Sequence, residues 1–196
     1  MISLTKKERE ILLILFKDFA NFYNANSISK IIKTSHVGAQ KIFKRLLNEN
    51  LVISKTIGKS ITYKLNFNEN YVSQLIAFLL ADEANNFKRW KEEFIGLFAE
   101  GRIIILFGST VKDYAHANDI DVMIVIENKE IKEINNILKE KEEILPKRIH
   151  AIKLTSQDLS NNIKNKNKAI IDLVKNGIVL YGQEEYVEIV KNVTNA

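Results

Sequence analysis

The sequence predicts an α+β protein of two domains joined by a helical segment. Its 196 residues are 46% hydrophobic and 27% charged, which is typical of globular chains that bury a core. Up to about residue 68, apolar residues recur at helical spacing and then alternate as in a hairpin. After residue 100, short apolar runs alternate with polar helical stretches, so the second domain is expected to be α/β-like with a small mixed sheet.

Composition excludes several classes of protein. The chain has no cysteine, which excludes disulfides, thiolate zinc sites and a cysteine nucleophile, and fits a reducing compartment. The apolar runs at residues 11–16 and 103–107 are too short to span a bilayer. Glu8 and Glu10 argue against a secretory signal at the start of the sequence. We therefore expect a cytoplasmic protein with no membrane partner.

The charges are distributed unevenly along the chain. Residues 1–70 contain twelve Lys or Arg and five Asp or Glu, a net charge of +7, whereas the net charge of residues 71–196 is −2. This asymmetry favours an anionic partner for the N-terminal part. The alternative is that these lysines only keep a small domain soluble.

Three helices are predicted in the N-terminal part. The first covers residues 5–24 and begins with a capping box formed by Thr5 and Glu8. A short second helix follows Ser27, and cap-type residues ending at Ser35 precede the third. The apolar residues of the third helix recur every three or four positions and form its buried stripe: Ala39, Phe43, Leu46 and Leu47.

A hairpin follows the third helix. Asn50 tolerates the left-handed conformation that ends a helix. Residues 51–56 and 60–65 have strand character around a turn at Gly58. Three helices followed by a basic hairpin resemble a winged helix-turn-helix domain, over residues 1–68.

The resemblance to a winged helix implies double-stranded DNA as a partner. Such domains place the third helix in the major groove and the hairpin along phosphates. The residues in these two elements that lie off the buried stripe and would contact DNA are His36, Gln40, Lys41, Lys44, Arg45, Lys55 and Lys59. A winged helix that binds protein, with solvated lysines, is the alternative.

Residues 69–99 are predicted to form a linking helical segment, either one long helix or two stacked ones. Its apolar side is rich in aromatic residues: Leu75, Phe78, Leu79, Phe87, Trp90, Phe94 and Phe98. This surface is expected to be buried against the domains or in a homodimer.

Two short motifs in the second domain carry the chemistry. The apolar run at residues 103–107 ends at Gly108 and Ser109, and after nine intervening residues Asp119 and Asp121 open a second apolar strand. Positions i and i+2 of a strand share a face, and Mg²⁺ prefers carboxylates together with phosphate oxygens and waters. A Gly-Ser turn offers backbone N–H groups and a hydroxyl to phosphates. The alternatives are two solvated acids and a serine that caps a helix.

This combination resembles the nucleotidyltransferase superfamily that includes DNA polymerase beta, in particular the minimal nucleotidyltransferases, over residues 100–183. The resemblance assigns Gly108 and Ser109 to the triphosphate and makes Asp119 and Asp121 catalytic ligands of two Mg²⁺ ions. It implies adenylyl transfer from a nucleoside triphosphate, ATP in the first instance, to a hydroxyl acceptor. Minimal members are often antitoxins that modify a cognate toxin, so a protein acceptor is one expectation. Residues 184–196 are expected to be a C-terminal tail.

The sequence departs from the family pattern at two positions. Lys112 lies where many members have an arginine, and it either contacts phosphate or is a plain surface lysine. Active members usually place a third carboxylate on a later strand, but the matching strand at residues 148–152 has none. His150 occupies about that position and is either a base or, as we favour, a structural or solvent-facing histidine. Asp158 is expected to cap a helix and His116 to have no role.

Two functions therefore fit the sequence. One is an active nucleotidyltransferase with a DNA-binding domain, which could act in the manner of an antitoxin. The other is a transcriptional regulator whose nucleotidyltransferase-like domain is weak or inactive and only binds nucleotide or acts as a scaffold. The intact pair of aspartates favours the first function, and the missing third acid favours the second.

Overall fold

A computed structural model describes residues 3–194 and divides the chain into two compact units. The boundary falls between Leu79 and Leu80, within helix α4 (Asn70–Ala84). The first unit contains three further helices and a hairpin: α1 (Lys6–Lys17), α2 (Ala25–Ile31), α3 (His36–Asn48), β1 (Val52–Ile57) and β2 (Ser60–Leu65). No helix among residues 3–194 is both long enough and apolar enough to cross a membrane.

Helix α1 begins as predicted but is shorter. The Thr5 hydroxyl accepts a hydrogen bond from the Glu8 N–H, and the Thr5 N–H donates to the Glu8 carboxylate, so the capping box is confirmed. The helix ends at Lys17 rather than at residue 24. Asp18 follows it, and its carboxylate accepts hydrogen bonds from Asn21 and the Tyr23 hydroxyl, which hold a turn instead of a further helical turn.

The other boundaries of the first unit differ by a few residues. Asn24 caps α2, so this helix begins before Ser27, where it was expected. Asn50 has φ 54°, which confirms the left-handed residue at the end of the third helix. The strands β1 and β2 pair antiparallel, with Val52 opposite Leu65, as the hairpin pattern predicts.

The core of the first unit joins α3 to the hairpin. Ala39, Phe43 and Leu46 are fully buried, whereas Leu47 is only half-buried. The Phe43 ring stacks on the Tyr63 ring of β2, with centroids 3.8 Å apart and planes 5° apart. This stack fixes the hairpin against α3 through buried aromatic area.

The linking segment is broken rather than continuous. After α4 a 3₁₀ turn at Asn85–Phe87 leads into α5 (Lys88–Glu93), and a second 3₁₀ turn covers Ile95–Leu97. Trp90 and Phe94 are buried in the core of the second unit. Phe78 is 58% exposed, so the chain itself does not bury this side chain, and of the two expected ways of burying it only a homodimer is left as a prediction.

The second unit is built on a mixed four-stranded sheet. Its strands are β3 (Ile103–Phe107), β4 (Ile120–Val125), β5 (Ile149–Leu154) and β6 (Ile178–Tyr181), in the order β5-β4-β3-β6. β3 pairs antiparallel with β4 and β6, and β4 pairs parallel with β5. Its later helices are α6 (Ser109–Lys112), α7 (Ile131–Ile144), α8 (Ser156–Lys164), α9 (Lys168–Asn176) and α10 (Gln183–Thr194). The α+β class with a small mixed sheet is confirmed.

Helices cover both faces of this sheet. Alternate residues of the central strands, such as Leu106 and Val122, belong to one core together with Trp90 and Ile134. The intervening residues, such as Met123, are also fully buried, which requires cover on the other face. The residues after 183, expected to be a tail, form α10, whose inward side is buried.

Candidate active site

The two aspartates of the motif lie where β4 begins. Asp119 immediately precedes the strand, and Asp121 is its second residue. Both are half-buried, while every other residue of β4 is buried. The acids are therefore held by a rigid, apolar strand, at the end where it meets solvent.

Gly108 places the preceding turn directly against Asp121. Phe107, the last residue of β3, is the antiparallel partner of Asp121, and Gly108 follows it with φ 74°. A Cβ atom at Gly108 would lie 2.0 Å from Asp121 Oδ2. Both the backbone conformation and the lack of space require glycine here. The turn and the carboxylate thus share one side of the β3–β4 pair.

The short helix α6 connects this turn back to the acids. Thr110 is buried, and its Oγ1 donates a 2.8 Å hydrogen bond to the backbone oxygen of Asp119. Ser109 and Lys112, at the two ends of α6, are exposed. Sequence reasoning missed Thr110, although a threonine directly after a Gly-Ser turn is a usable signal for such a hydrogen bond.

His150 lies directly opposite Asp121 on the neighbouring strand. The parallel register of β4 and β5 pairs the two residues, and His150 Nδ1 is 3.0 Å from Asp121 Oδ1. The histidine side chain is 64% exposed and that of Asp121 only 16%. The imidazole therefore covers one side of the carboxylate and remains open to solvent.

The three side chains form one candidate metal site. Asp119, Asp121 and His150 each offer one ligand atom, and these atoms lie within 4.8 Å of one another. Carboxylate oxygens and imidazole nitrogen are common ligands of divalent cations. The residues present therefore fit a divalent cation.

A lysine that the sequence did not suggest holds the loop before Asp119. Lys147 Nζ donates to the backbone oxygens of Tyr114, Ala115 and Ala117, and it lies 4.3 Å from the centre of the Tyr114 ring. These contacts tie the loop to the residues just before β5. The only signal in the sequence was the pair of basic residues, Lys147 and Arg148, directly before the strand.

His116 lies in the same loop but is paired locally. Its Nδ1 is 2.7 Å from Asp113 Oδ2, and both side chains are largely exposed. The hydrogen bond from His116 holds the pKa of Asp113 below its usual value. Asp158 caps α8 together with Thr155, as predicted, and the hydrogen bond from Thr155 lowers its pKa.

The part of the chain that contains this site is similar to one known protein family. Residues 95–186 match the family model of polymerase beta-type nucleotidyltransferases. The match covers just under half of the chain and contains the Gly108 turn, the aspartates and His150. It supports the superfamily that the motif resembles. No curated protein and no solved structure matched the chain.

The first unit has a polar groove of its own. A groove of about 370 Å³ is lined by His36 and Gln40 of α3 and by Lys59 and Ser60 of the hairpin, among others. The groove thus joins two elements on which the sequence analysis placed DNA-contacting residues. Asn26, Ser60 and Ile61 also line the groove. They were not among the residues predicted to contact DNA, because only folding brings α2 and the hairpin turn together.

The remaining residues predicted to contact DNA divide into two groups. Lys41 and Lys44 on α3 and Lys55 on β1 are exposed. Arg45 instead pairs with the buried Glu8 at 3.2 Å and donates to the Ser3 backbone oxygen. The guanidinium therefore ties α3 to the start of α1.

Proposed function

We propose that the nucleotidyltransferase domain transfers a nucleotidyl group, from ATP in the first instance, to a hydroxyl acceptor in a metal-dependent reaction. The observation that supports this most directly is the placement of the Gly108 turn against Asp121. The same site contains Asp119 and His150, so phosphate-binding and cation-binding groups share one position.

The chain's own groups would bind and orient the triphosphate. The turn at Gly108 and Ser109 offers backbone N–H groups and a hydroxyl to phosphate oxygens. The absence of a Cβ at Gly108 lets this turn lie directly against the Asp121 carboxylate. Lys112 adds positive charge three residues after Ser109. Asp119 and Asp121 would hold the divalent cations, two Mg²⁺ in the expected form, and the bound cations would supply the positive charge that offsets the charge developing on the phosphates.

The bond changes are those of an in-line displacement. The acceptor oxygen forms a bond to the α-phosphorus, the bond from that phosphorus to the bridging oxygen breaks, and pyrophosphate leaves. The proton of the acceptor hydroxyl passes to water. Because positioning and electrostatics supply most of the acceleration, loss of one carboxylate should have a large effect.

Transfer of label tests this proposal. The full chain is incubated with α-labelled ATP, Mg²⁺ or Mn²⁺, and acceptors that include the protein itself and an oligonucleotide with a free 3′-hydroxyl. We expect label on an acceptor, and a loss on the order of 10²-fold or more in Asp121→Asn. Asp172→Asn, an exposed acid on α9, is the matched control and should transfer normally. Nucleotide binding without transfer to any acceptor would contradict the enzymatic proposal.

For the first unit we propose binding to double-stranded DNA as a winged helix-turn-helix domain. Support comes from the order of three helices and an antiparallel hairpin, and from the net charge of +7. The groove between α3 and the hairpin turn places His36, Gln40 and Lys59 on one concave surface. Arg45 is left out of this surface, because its guanidinium is bound to Glu8.

A second candidate function is a regulator whose nucleotidyltransferase domain binds nucleotide without turnover. The observation that favours it is His150, which lies opposite Asp121 where active relatives usually carry a third acid. Such a protein would bind ATP but transfer no label, and ATP would change its affinity for DNA. A cognate toxin could be the protein acceptor only under the first function, because the second involves no transfer.

A further inference from the structure

We propose that His150 is a metal ligand, and that the site formed by Asp119, Asp121 and His150 selects a transition-metal dication over Mg²⁺. The inference rests on the proposed function only in placing the cation at this site. It assigns the histidine a role that neither a base nor a solvent-facing residue would have.

The separation of the ligand atoms supports direct coordination. Two ligands bound at about 2.1 Å and at right angles lie about 3.0 Å apart. His150 Nδ1 and Asp121 Oδ1 are 3.0 Å apart, and Asp119 offers a third atom within 4.8 Å of both. The Asp121 and His150 atoms therefore already have the separation of two ligands of one cation, and the Asp119 carboxylate is close enough to them to join the same ion.

The strand register holds this arrangement in place. Asp121 and His150 are direct partners in the parallel β4–β5 pair, so their side chains leave the sheet on the same face. The Oδ2 atom of Asp121 lies directly against Gly108, so close that a side chain at position 108 would collide with it. His150 is exposed, so a hydrated ion reaches it without crossing apolar protein.

The chemistry of the ligands determines the class of metal. Mg²⁺ is bound almost entirely by oxygen, whereas imidazole is a good ligand for first-row transition metals. A site with two carboxylates and one imidazole therefore gains more affinity for Mn²⁺, Co²⁺ or Zn²⁺ than for Mg²⁺. A third carboxylate would bind Mg²⁺ as well as Mn²⁺ and would therefore not give this selectivity.

Metal binding to the full chain without nucleotide tests the proposal. Mn²⁺ is the probe, with free ion measured by electron paramagnetic resonance, Mg²⁺ as competitor, and pulsed measurements to detect nitrogen coupling. We expect a nitrogen coupling in the wild type that His150→Ala abolishes, and a loss of Mn²⁺ affinity of about 10–100-fold. Mg²⁺ affinity should change little in that variant.

Two further variants make the test specific. His150→Asp should lower the ratio of Mn²⁺ to Mg²⁺ affinity at least about tenfold, because it replaces nitrogen by oxygen. His116→Ala removes the exposed histidine that pairs with Asp113 and should behave as the wild type. Thermal unfolding checks that each variant is folded, which is expected because the His150 side chain is exposed.

The outcomes separate this inference from the proposed function. No nitrogen coupling in the wild type, or an unchanged affinity ratio in His150→Ala, would overturn the role of His150 even if label transfer is observed. Conversely, a nitrogen coupling in a chain that transfers no label to any acceptor would support the metal site and contradict the enzymatic proposal.

Discussion

At the scale of single residues, Gly108 determines the geometry of the site. It has φ 74°, and a side chain there would meet the Asp121 carboxylate. Gly101 has a similar φ of 79°, but a Cβ atom at that position would have nothing within 4 Å. The two glycines thus share one backbone requirement, and only Gly108 has the steric one. A comparison of substitutions at Gly101 and Gly108 therefore separates the effect of backbone strain from the effect of displacing Asp121.

Gly108→Ala should therefore disable the site more than it destabilises the fold. We expect Mn²⁺ affinity and label transfer to fall by about 10²-fold or more, because Asp121 must move away from its ligand position. Gly101→Ala should cost only about 1–2 kcal/mol of stability from backbone strain. Titration with Mn²⁺ and thermal unfolding of both variants provide the measurement. Equal losses of metal affinity in the two variants would contradict the steric argument.

At the scale of elements, a buried ion pair connects the start of β3 to the turn before α7. Arg102 is buried, and its Nε is 2.7 Å from Glu130 Oε1 in the 3₁₀ turn at Asn128–Glu130. The Glu130 carboxylate also accepts the Glu127 N–H at 2.8 Å. That backbone hydrogen bond and the Arg102 guanidinium hold the pKa of Glu130 below its usual value.

This shift predicts acid sensitivity in the second unit. Because the folded pKa lies below the unfolded value of about 4.3, Glu130 stabilises the fold above that pH, and the contribution is lost as pH falls through the folded pKa. Glu130→Gln should lower the melting temperature at pH 7, and its curve should converge on the wild type at low pH. Fluorescence of Trp90, the only tryptophan, reports unfolding of this core.

Glu140→Gln is the matched control for this experiment, since Glu140 is exposed on α7. Its melting curve should follow the wild type at every pH. A constant difference between Glu130→Gln and the wild type from pH 7 to pH 3 would show that ionisation of Glu130 is not responsible.

At the scale of the whole molecule, charge is separated between the two units. The chain to residue 70 carries +7 and the rest −2, and residues 71–79 contain no charged side chain, so the charge boundary coincides with that of the units. Because the first unit is basic and the second is slightly acidic, any attraction to a polyanion is expected to come from the first unit.

Binding of duplex DNA should therefore depend on salt and on α3. We expect the affinity to fall steeply with NaCl, and Lys41→Ala/Lys44→Ala to reduce the slope of log affinity against log salt by about 2. Lys139→Ala/Lys164→Ala removes the same charge from exposed positions of the second unit and should leave the slope unchanged. Fluorescence anisotropy of a labelled duplex is the measurement. Equal slopes for both double variants would indicate that α3 does not contact phosphates.

Local patterns were sufficient for most elements of this protein. Apolar periodicity located the central strands. The capping box at Thr5 and the capping acid Asp158 were predicted because such contacts span only three residues. The spacing of the Gly-Ser and Asp-x-Asp motifs likewise predicted the region that matches the nucleotidyltransferase family model. These features depend on neighbours in sequence, so the sequence alone contains them.

Contacts between distant segments were decided only by the tertiary structure. The parallel register that sets His150 opposite Asp121 joins residues 29 positions apart, and the bonds from Lys147 to the loop before Asp119 span a similar distance. The exposure of Phe78 and the burial of α10 depend in the same way on what packs against them. Side-chain periodicity tells which face of a segment is apolar, but only packing selects the partner that covers it and the register in which two strands meet.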